Sequence, residues 1–116
     1  MKKQVFYKAK TTKNGKRFPE NLYFERCEGY IYPLTDSKGK VFNFALDYDR
    51  SEKKYYATEI TSGVGTRPLG AKTKEELLEA LSKYDFTRLL GNPSTQMVVK
   101  LLSEFKEGGA NNVQGN

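Results

Sequence analysis

The chain has 116 residues, of which 37% are hydrophobic and 29% are charged, and it contains eight tyrosines and seven phenylalanines. This length fits one domain with a real core, and the aromatic content argues against general disorder. A single cysteine and the absence of histidine exclude an intramolecular disulfide, a metal cluster built from cysteines, and catalysis by a histidine base.

The net charge of +6 is distributed unevenly along the chain. Seven of the 20 basic residues precede the first acid, Glu20, so the first 17 residues carry +7 and the rest of the chain carries −1. Such an asymmetry favours an anionic partner. A lysine-rich edge strand that resists aggregation explains it equally well.

The N-terminal part of the chain predicts a strand followed by a turn. Residues 4–10 alternate weakly between apolar and polar side chains and predict a strand at a sheet edge. Asn14 followed by Gly15 is the strongest short signal for a hairpin, and Pro19 ends regular pairing. Residues 21–28 are compatible with a strand or with a short bridging segment.

Three aromatic or β-branched runs, at 30–34, 41–48 and 55–61, are separated by polar runs that contain turn residues. This pattern is typical of an antiparallel meander. In the middle run, alternation separates one face with Phe42, Phe44 and Leu46 from another with Asn43, Ala45 and Asp47. The first face needs a cover, whereas the second is mixed and is expected to meet water or a partner.

The C-terminal part predicts two helices. After a glycine-rich loop at 62–70, Thr73 and Glu76 form a capping box, and leucines at helical spacing indicate a helix from Lys74 to Lys83. Residues 85–90 are interpreted as a connector with room for one helical turn. A second helix is expected to begin at Pro93 and to end at the glycine pair 108–109.

Together these elements predict an α+β fold: an antiparallel sheet of about four strands in a meander, followed by two C-terminal helices packed on one face. We expect one domain over residues 1–107, with a basic N-terminal arm at 1–17 and a disordered tail at 108–116. The sequence shows no signal-peptide pattern and no run long enough to span a membrane, so a cytoplasmic protein without membrane contact is expected.

The basic arm with its interleaved aromatic residues is the first candidate site. Lysine and arginine side chains contact phosphates, and aromatic rings stack on unpaired bases. The same rings are equally suited to filling the core. The candidate residues for binding nucleic acid or another partner are Lys3, Lys8, Lys10, Lys13, Lys16, Arg17, Tyr30, Tyr32, Tyr55 and Arg67.

Two further candidates have weaker signals. The loop around Gly63 and Gly65 has the backbone freedom to cradle a phosphate, but it lacks the P-loop ending and the dinucleotide spacing, which favours a plain connection. Asp47, Asp49 and Glu59 are carboxylates of the kind that bind magnesium in nucleases, but they are also ordinary turn acids.

The sequence therefore predicts a non-enzymatic binding protein that contacts nucleic acid, RNA or DNA, or a nucleoprotein, without a cofactor or a metal. The alternative is an inhibitor encoded by a phage or plasmid that binds a host protein, such as an RNA-guided nuclease, and blocks nucleic-acid loading. Such an inhibitor resembles anti-CRISPR proteins in size and chemistry, without a matched motif. The single cysteine, Cys27, is interpreted as structural.

Overall fold

The computed structural model describes residues 2–13, 15–66 and 69–108. Within these residues the strands precede the helices along the chain. The strands are β1 (Gln4–Thr11), β2 (Leu22–Gly29), β3 (Ile31–Thr35), β4 (Val41–Asp49), β5 (Lys54–Glu59) and β6 (Val64–Gly65). The helices are α1 (Lys74–Ser82), α2 (Phe86–Leu90) and α3 (Pro93–Gly108).

The strands form two sheets. β1 and β2 pair antiparallel as a separate hairpin, and β3, β4, β5 and β6 pair in chain order as a four-stranded meander. The chain passes from one sheet to the other at Tyr30, between β2 and β3. The predicted α+β class, antiparallel meander and C-terminal helices are therefore confirmed.

One face of the meander is covered by helices. Phe44 is fully buried, and its ring lies 4.9 Å from that of Phe86, the first residue of α2. Helix α1 begins where the capping box predicts, because the Thr73 side chain accepts a hydrogen bond from the backbone N–H of Glu76. The buried cluster on this face, the helix-side core, consists of Phe42, Phe44, Ala57, Leu77, Leu81 and Phe86.

The opposite face is covered in part by the β1–β2 hairpin, which corrects the expectation that this face is open. Phe6 of β1 is buried against Ile31 and Ala45, with Cys27 and Ile60 packed around them. A phenylalanine on an edge strand removes its apolar surface from water by packing on the sheet. We call this smaller cluster the hairpin-side core.

Helix α3 reaches the far side of the hairpin. The ring of Phe105 lies 5.4 Å from the rings of both Tyr7 and Phe24, which project from the hairpin away from the meander. Val98 and Leu102 are the buried residues of α3. The hairpin is thus held between the meander and the end of this helix.

One local expectation needs correction. The loop predicted over 62–70 contains the short strand β6, because Gly65 pairs with Thr58. Residues 85–90, predicted as a connector with room for one helical turn, contain the short helix α2, which supplies Phe86 to the helix-side core. Asn14 of the hairpin signal, Gly109 of the helix-ending pair and the predicted tail from 109 onward lie outside the described residues.

In the described part of the chain, the helices are too short or too polar to cross a membrane.

Candidate nucleic-acid interface

The basic residues of the N-terminal arm do not form one patch. Lys3 lies just before β1, whereas Lys13, Lys16 and Arg17 follow it, and the 8 residues of β1 extend over roughly 26 Å. The ammonium group of Lys3 lies 6.0 Å from the centre of the exposed Tyr30 ring, which is within reach of a cation–π interaction. The arm therefore divides into two ends with an intervening strand.

The two lysines in the middle of β1 are paired with acids. Lys8 forms an ion pair with Asp47 of β4. Lys10 donates to the Glu25 carboxylate of β2 at 3.1 Å. This hydrogen bond raises the pKa of Lys10 and lowers that of Glu25. At least two of the seven charges that define the arm are thus compensated within the chain.

The turn that connects β1 to β2 presents three further cations of the arm. We call residues 12, 13 and 15–21 the hairpin tip. It holds Lys13, Lys16 and Arg17, all exposed, and Glu20 is the only acid in this part of the sequence. Phe18 is 40% exposed beside these cations. The tip therefore brings positive charge and an accessible aromatic ring together.

Backbone hydrogen bonds give the tip a defined shape. The N–H of Thr12 donates to the carbonyl of Asn21 at 2.9 Å, which continues the hairpin pairing beyond β1 and β2. The N–H of Glu20 donates to the carbonyl of Arg17 at 2.9 Å, and that of Leu22 donates to Pro19 at 3.0 Å. The cations are therefore displayed on a turn that its own hydrogen bonds organise.

The sequence prediction did not single out Tyr23, which extends the tip. Tyr23 is 43% exposed and pairs directly with Lys10 in the strand register, so the two side chains lie on one face. A tight turn at Asn14 and Gly15 would have paired Lys10 with Pro19, so the sequence signal did not identify Tyr23 as the neighbour of Lys10.

The three candidate tyrosines do not share a surface. Tyr32 pairs with Phe44, so its half-buried side chain lies on the helix-covered face. Tyr55 packs against the helix-side core. Tyr30 is the most exposed of the three, at 40%, and lies beside Lys3. Arg67, the remaining candidate, lies outside the described residues.

The glycine-rich turn is already filled by a carboxylate of the chain itself. Buried Glu59 accepts hydrogen bonds from the backbone N–H groups of Thr61 at 3.0 Å and Ser62 at 2.9 Å. The N–H of Gly63 donates to the carbonyl of Glu59 at 2.8 Å, and that of Thr66 donates to Ala57 at 2.8 Å. The backbone amides that a phosphate would need therefore already donate to groups of the chain itself. This agrees with the interpretation of the loop as a simple connection between β5 and α1.

The three candidate metal ligands are not gathered. Asp47 lies on the hairpin side and contacts Lys8, whereas Glu59 pairs with Phe44 and projects to the other face. Asp49 accepts from the backbone N–H of Ser51 at 2.9 Å in the β4–β5 turn. The described residues contain no cluster of three acidic or cysteine side chains suited to a metal ion.

Cys27 is half-buried beside the hairpin-side core. Burial raises the pKa of its thiol, and a hydrogen bond to Glu25 adds to this effect. A thiol with a raised pKa is a poor nucleophile, which agrees with a structural interpretation.

Comparisons of the chain with models of protein families, with curated proteins and with solved structures found no match.

Proposed function

We propose that this protein is a non-enzymatic, cytoplasmic binding protein that contacts nucleic acid, free or in a nucleoprotein, through the hairpin tip. The observation that supports this proposal is the exposure of Lys13, Lys16 and Arg17 together with Phe18 on one organised turn. Cations bind the phosphate backbone without sequence preference, and an exposed ring supplies a stacking surface. Lys10 and Tyr23 extend this surface along the hairpin.

The test is a fluorescence-anisotropy titration of labelled RNA and DNA, single- and double-stranded, over a salt series. One variant carries Lys13→Gln, Lys16→Gln and Arg17→Gln. The slope of log affinity against log salt concentration for single strands should fall by roughly 2 in magnitude. Each of the three lost phosphate contacts contributes about 0.7.

A matched control carries Lys38→Gln, Arg50→Gln and Lys100→Gln, which removes the same charge at exposed positions outside the hairpin. The control is expected to bind almost as the original protein does. Equal losses in both variants would show that net charge alone drives binding, and the tip proposal would then fail.

The alternative function is inhibition of a host nucleic-acid-binding protein such as an RNA-guided nuclease. One observation favours it: Lys8 and Lys10 are compensated by Asp47 and Glu25, so fewer charges face a free nucleic acid than the sequence indicates. In this case the protein would form a stable complex with the purified nuclease and slow guide-RNA loading. Unchanged loading at a saturating concentration of the protein would contradict the alternative.

A further inference from the structure

A cleft of about 680 Å³ lies between β1 and the adjoining ends of β4, β5 and β6. Its size falls within the range of small-molecule sites in proteins. Its lining includes Lys8 and Lys10 on the hairpin, Asp47 and Tyr56 on the meander, and Thr58 beside Gly65.

The alternation along β1 explains why the cleft exists. Phe6, Lys8 and Lys10 project toward the meander, because β-strand side chains alternate and Phe6 is buried on Ile31 and Ala45. The apolar cover therefore stops after Phe6. Beyond it, lysines face the polar end of the sheet, and these side chains leave a gap that solvent and a ligand can enter.

Glycine leaves the floor of the cleft open. Gly65 pairs with Thr58, so a side chain at position 65 would project to the same face as Thr58, into the cleft. A Cβ atom built there would be 3.7 Å from the Ala57 carbonyl, which is ordinary contact. Tyr56 pairs with Asp47 and adds aromatic surface next to the carboxylate.

The walls of the cleft carry opposite charges. Lys8 and Asp47 meet across it, and their side chains keep 27% and 42% exposure respectively. A carboxylate accepts several hydrogen bonds, so Asp47 can hold Lys8 and still accept from a ligand N–H. An ammonium group has three donors and can likewise serve a ligand carbonyl or phosphate. The cleft therefore suits a ligand with a hydrogen-bond donor for Asp47 and an acceptor for Lys8.

We infer that the cleft receives one unpaired nucleobase, with cytosine preferred over uracil, from a single strand whose phosphates follow the hairpin tip. This inference rests on the proposed function. Lys10 connects the two regions, because it lines the cleft and pairs with Tyr23 next to the tip. The cytosine amino group donates to a carboxylate, whereas uracil would place a carbonyl oxygen there.

The cleft also implies a single-stranded target, because a base can enter a protein cleft only when it is unpaired. We therefore expect the protein to prefer single strands over duplexes of equal length. Oligocytidylate should bind at least about tenfold more tightly than oligouridylate, as expected for one hydrogen bond to a charged group.

The variant Gly65→Leu tests the cleft, because it fills the floor without touching the tip. We expect oligocytidylate affinity to fall to that of oligouridylate, with the latter unchanged. Gly108→Leu adds the same side chain at the end of α3, where a Cβ meets no atom within 4 Å, and should behave as the original protein does. A preference that survives in Gly65→Leu would overturn the inference and leave the proposed function intact.

A second measurement needs no variant. Titration with cytidine monophosphate, followed by amide chemical shifts, should perturb Thr58, Gly65 and Thr66 and leave Lys100 unchanged. Shifts at these amides without binding of any strand would support a cleft for free nucleotides and contradict the proposed function. Strand binding with equal cytidine and uridine affinities and unshifted cleft amides would overturn the cleft inference alone. Neither strand binding nor shifts would overturn both.

Discussion

The two faces of the four-stranded meander are covered in different ways. On one face, two leucines of α1 and Phe86 of α2 close over Phe42 and Phe44. On the other face, the ring of Phe6 from the hairpin packs against Ile31 and Ala45. Farther along β1, the side chains that face the sheet are charged. The first face carries a mainly apolar core, whereas the second changes from core to cleft within the length of β1.

The difference follows from the covering elements. A helix repeats its apolar side chains every three or four residues, so Leu77 and Leu81 both reach the sheet from α1. In β1 the residues that face the sheet are Phe6, Lys8 and Lys10, of which only the first is apolar. We therefore expect stability to depend mainly on the helix-covered face, and the proposed binding to use the hairpin-covered face.

The largest expected effect comes from removing one ring on each face. Phe44→Ala should lower the free energy of unfolding by about 3–5 kcal/mol, because it leaves a cavity in the helix-side core. Phe6→Ala should lower the free energy of unfolding by less, about 3 kcal/mol or below. The smaller hairpin-side core can close the cavity more easily. Urea denaturation of both variants measures the difference, and an equal or reversed order would remove the distinction between the faces.

A glycine comparison tests how closely the hairpin is held to the meander. Gly63 and Gly39 have φ values of +72° and +82°, so alanine at either position costs roughly 1–2 kcal/mol in backbone strain. At Gly63 a Cβ would also lie 2.7 Å from the Tyr7 carbonyl oxygen, whereas nothing lies within 4 Å at Gly39. Gly63→Ala should therefore lower the free energy of unfolding by at least about 1 kcal/mol more than Gly39→Ala does.

Hydrogen exchange separates local from general effects in this pair. The Ala9 amide donates to the Gly63 carbonyl at 2.8 Å and should exchange faster in Gly63→Ala than in Gly39→Ala. Equal stability losses and equal Ala9 exchange would mean that the hairpin does not depend on this approach.

Acid should affect the helix-covered face through Asp36. Burial raises the pKa of this carboxyl, but hydrogen bonds from the backbone amides of Lys40, Lys38 and Phe86 outweigh it and hold the pKa below its ordinary value. The group therefore stabilises the fold above its unfolded pKa of about 3.9 and loses that contribution as the pH falls through the folded value.

The measurement is the urea midpoint at several pH values between neutral and acid. The original protein should lose more stability than Asp36→Asn over the acid range, while Asp36→Asn should be the less stable of the two at neutral pH. Parallel pH profiles for the two proteins would contradict a role for this carboxylate between the β3–β4 turn and α2.

Local signals in the sequence were sufficient for the elements themselves. The helix N-cap at Thr73, the proline at the start of α3 and the alternation around Phe44 each depend on neighbouring residues, and each is found as predicted. The division into two sheets was not predictable in this way. Alternation indicates that residues 22–29 can pair, but it does not indicate with which sheet.

The candidate site shows the same limit. The charge of the arm was readable from the sequence, but the partners that compensate it were not, because Asp47 approaches Lys8 only in the folded chain. Phe86 was likewise not identified as a core residue, because the segment 85–90 is too short to show a helical periodicity. The exposed tip was predictable as a turn with cations, whereas the cleft required the packing of hairpin on sheet.

The smallest expected stability effect comes from the Glu25–Lys10 ion pair of the hairpin. Breaking this pair tests whether Lys10 can contribute to binding. Glu25→Gln removes the carboxylate that holds Lys10, and this exposed pair is worth at most about 0.5–1 kcal/mol. Lys10 then becomes available to a phosphate, so the salt slope for single strands should increase by about 0.7. Glu28→Gln is the control, because its carboxylate faces Arg26 at 3.5 Å at the other end of β2. If both variants steepen the slope equally, net charge explains the change and Lys10 has no particular part in binding.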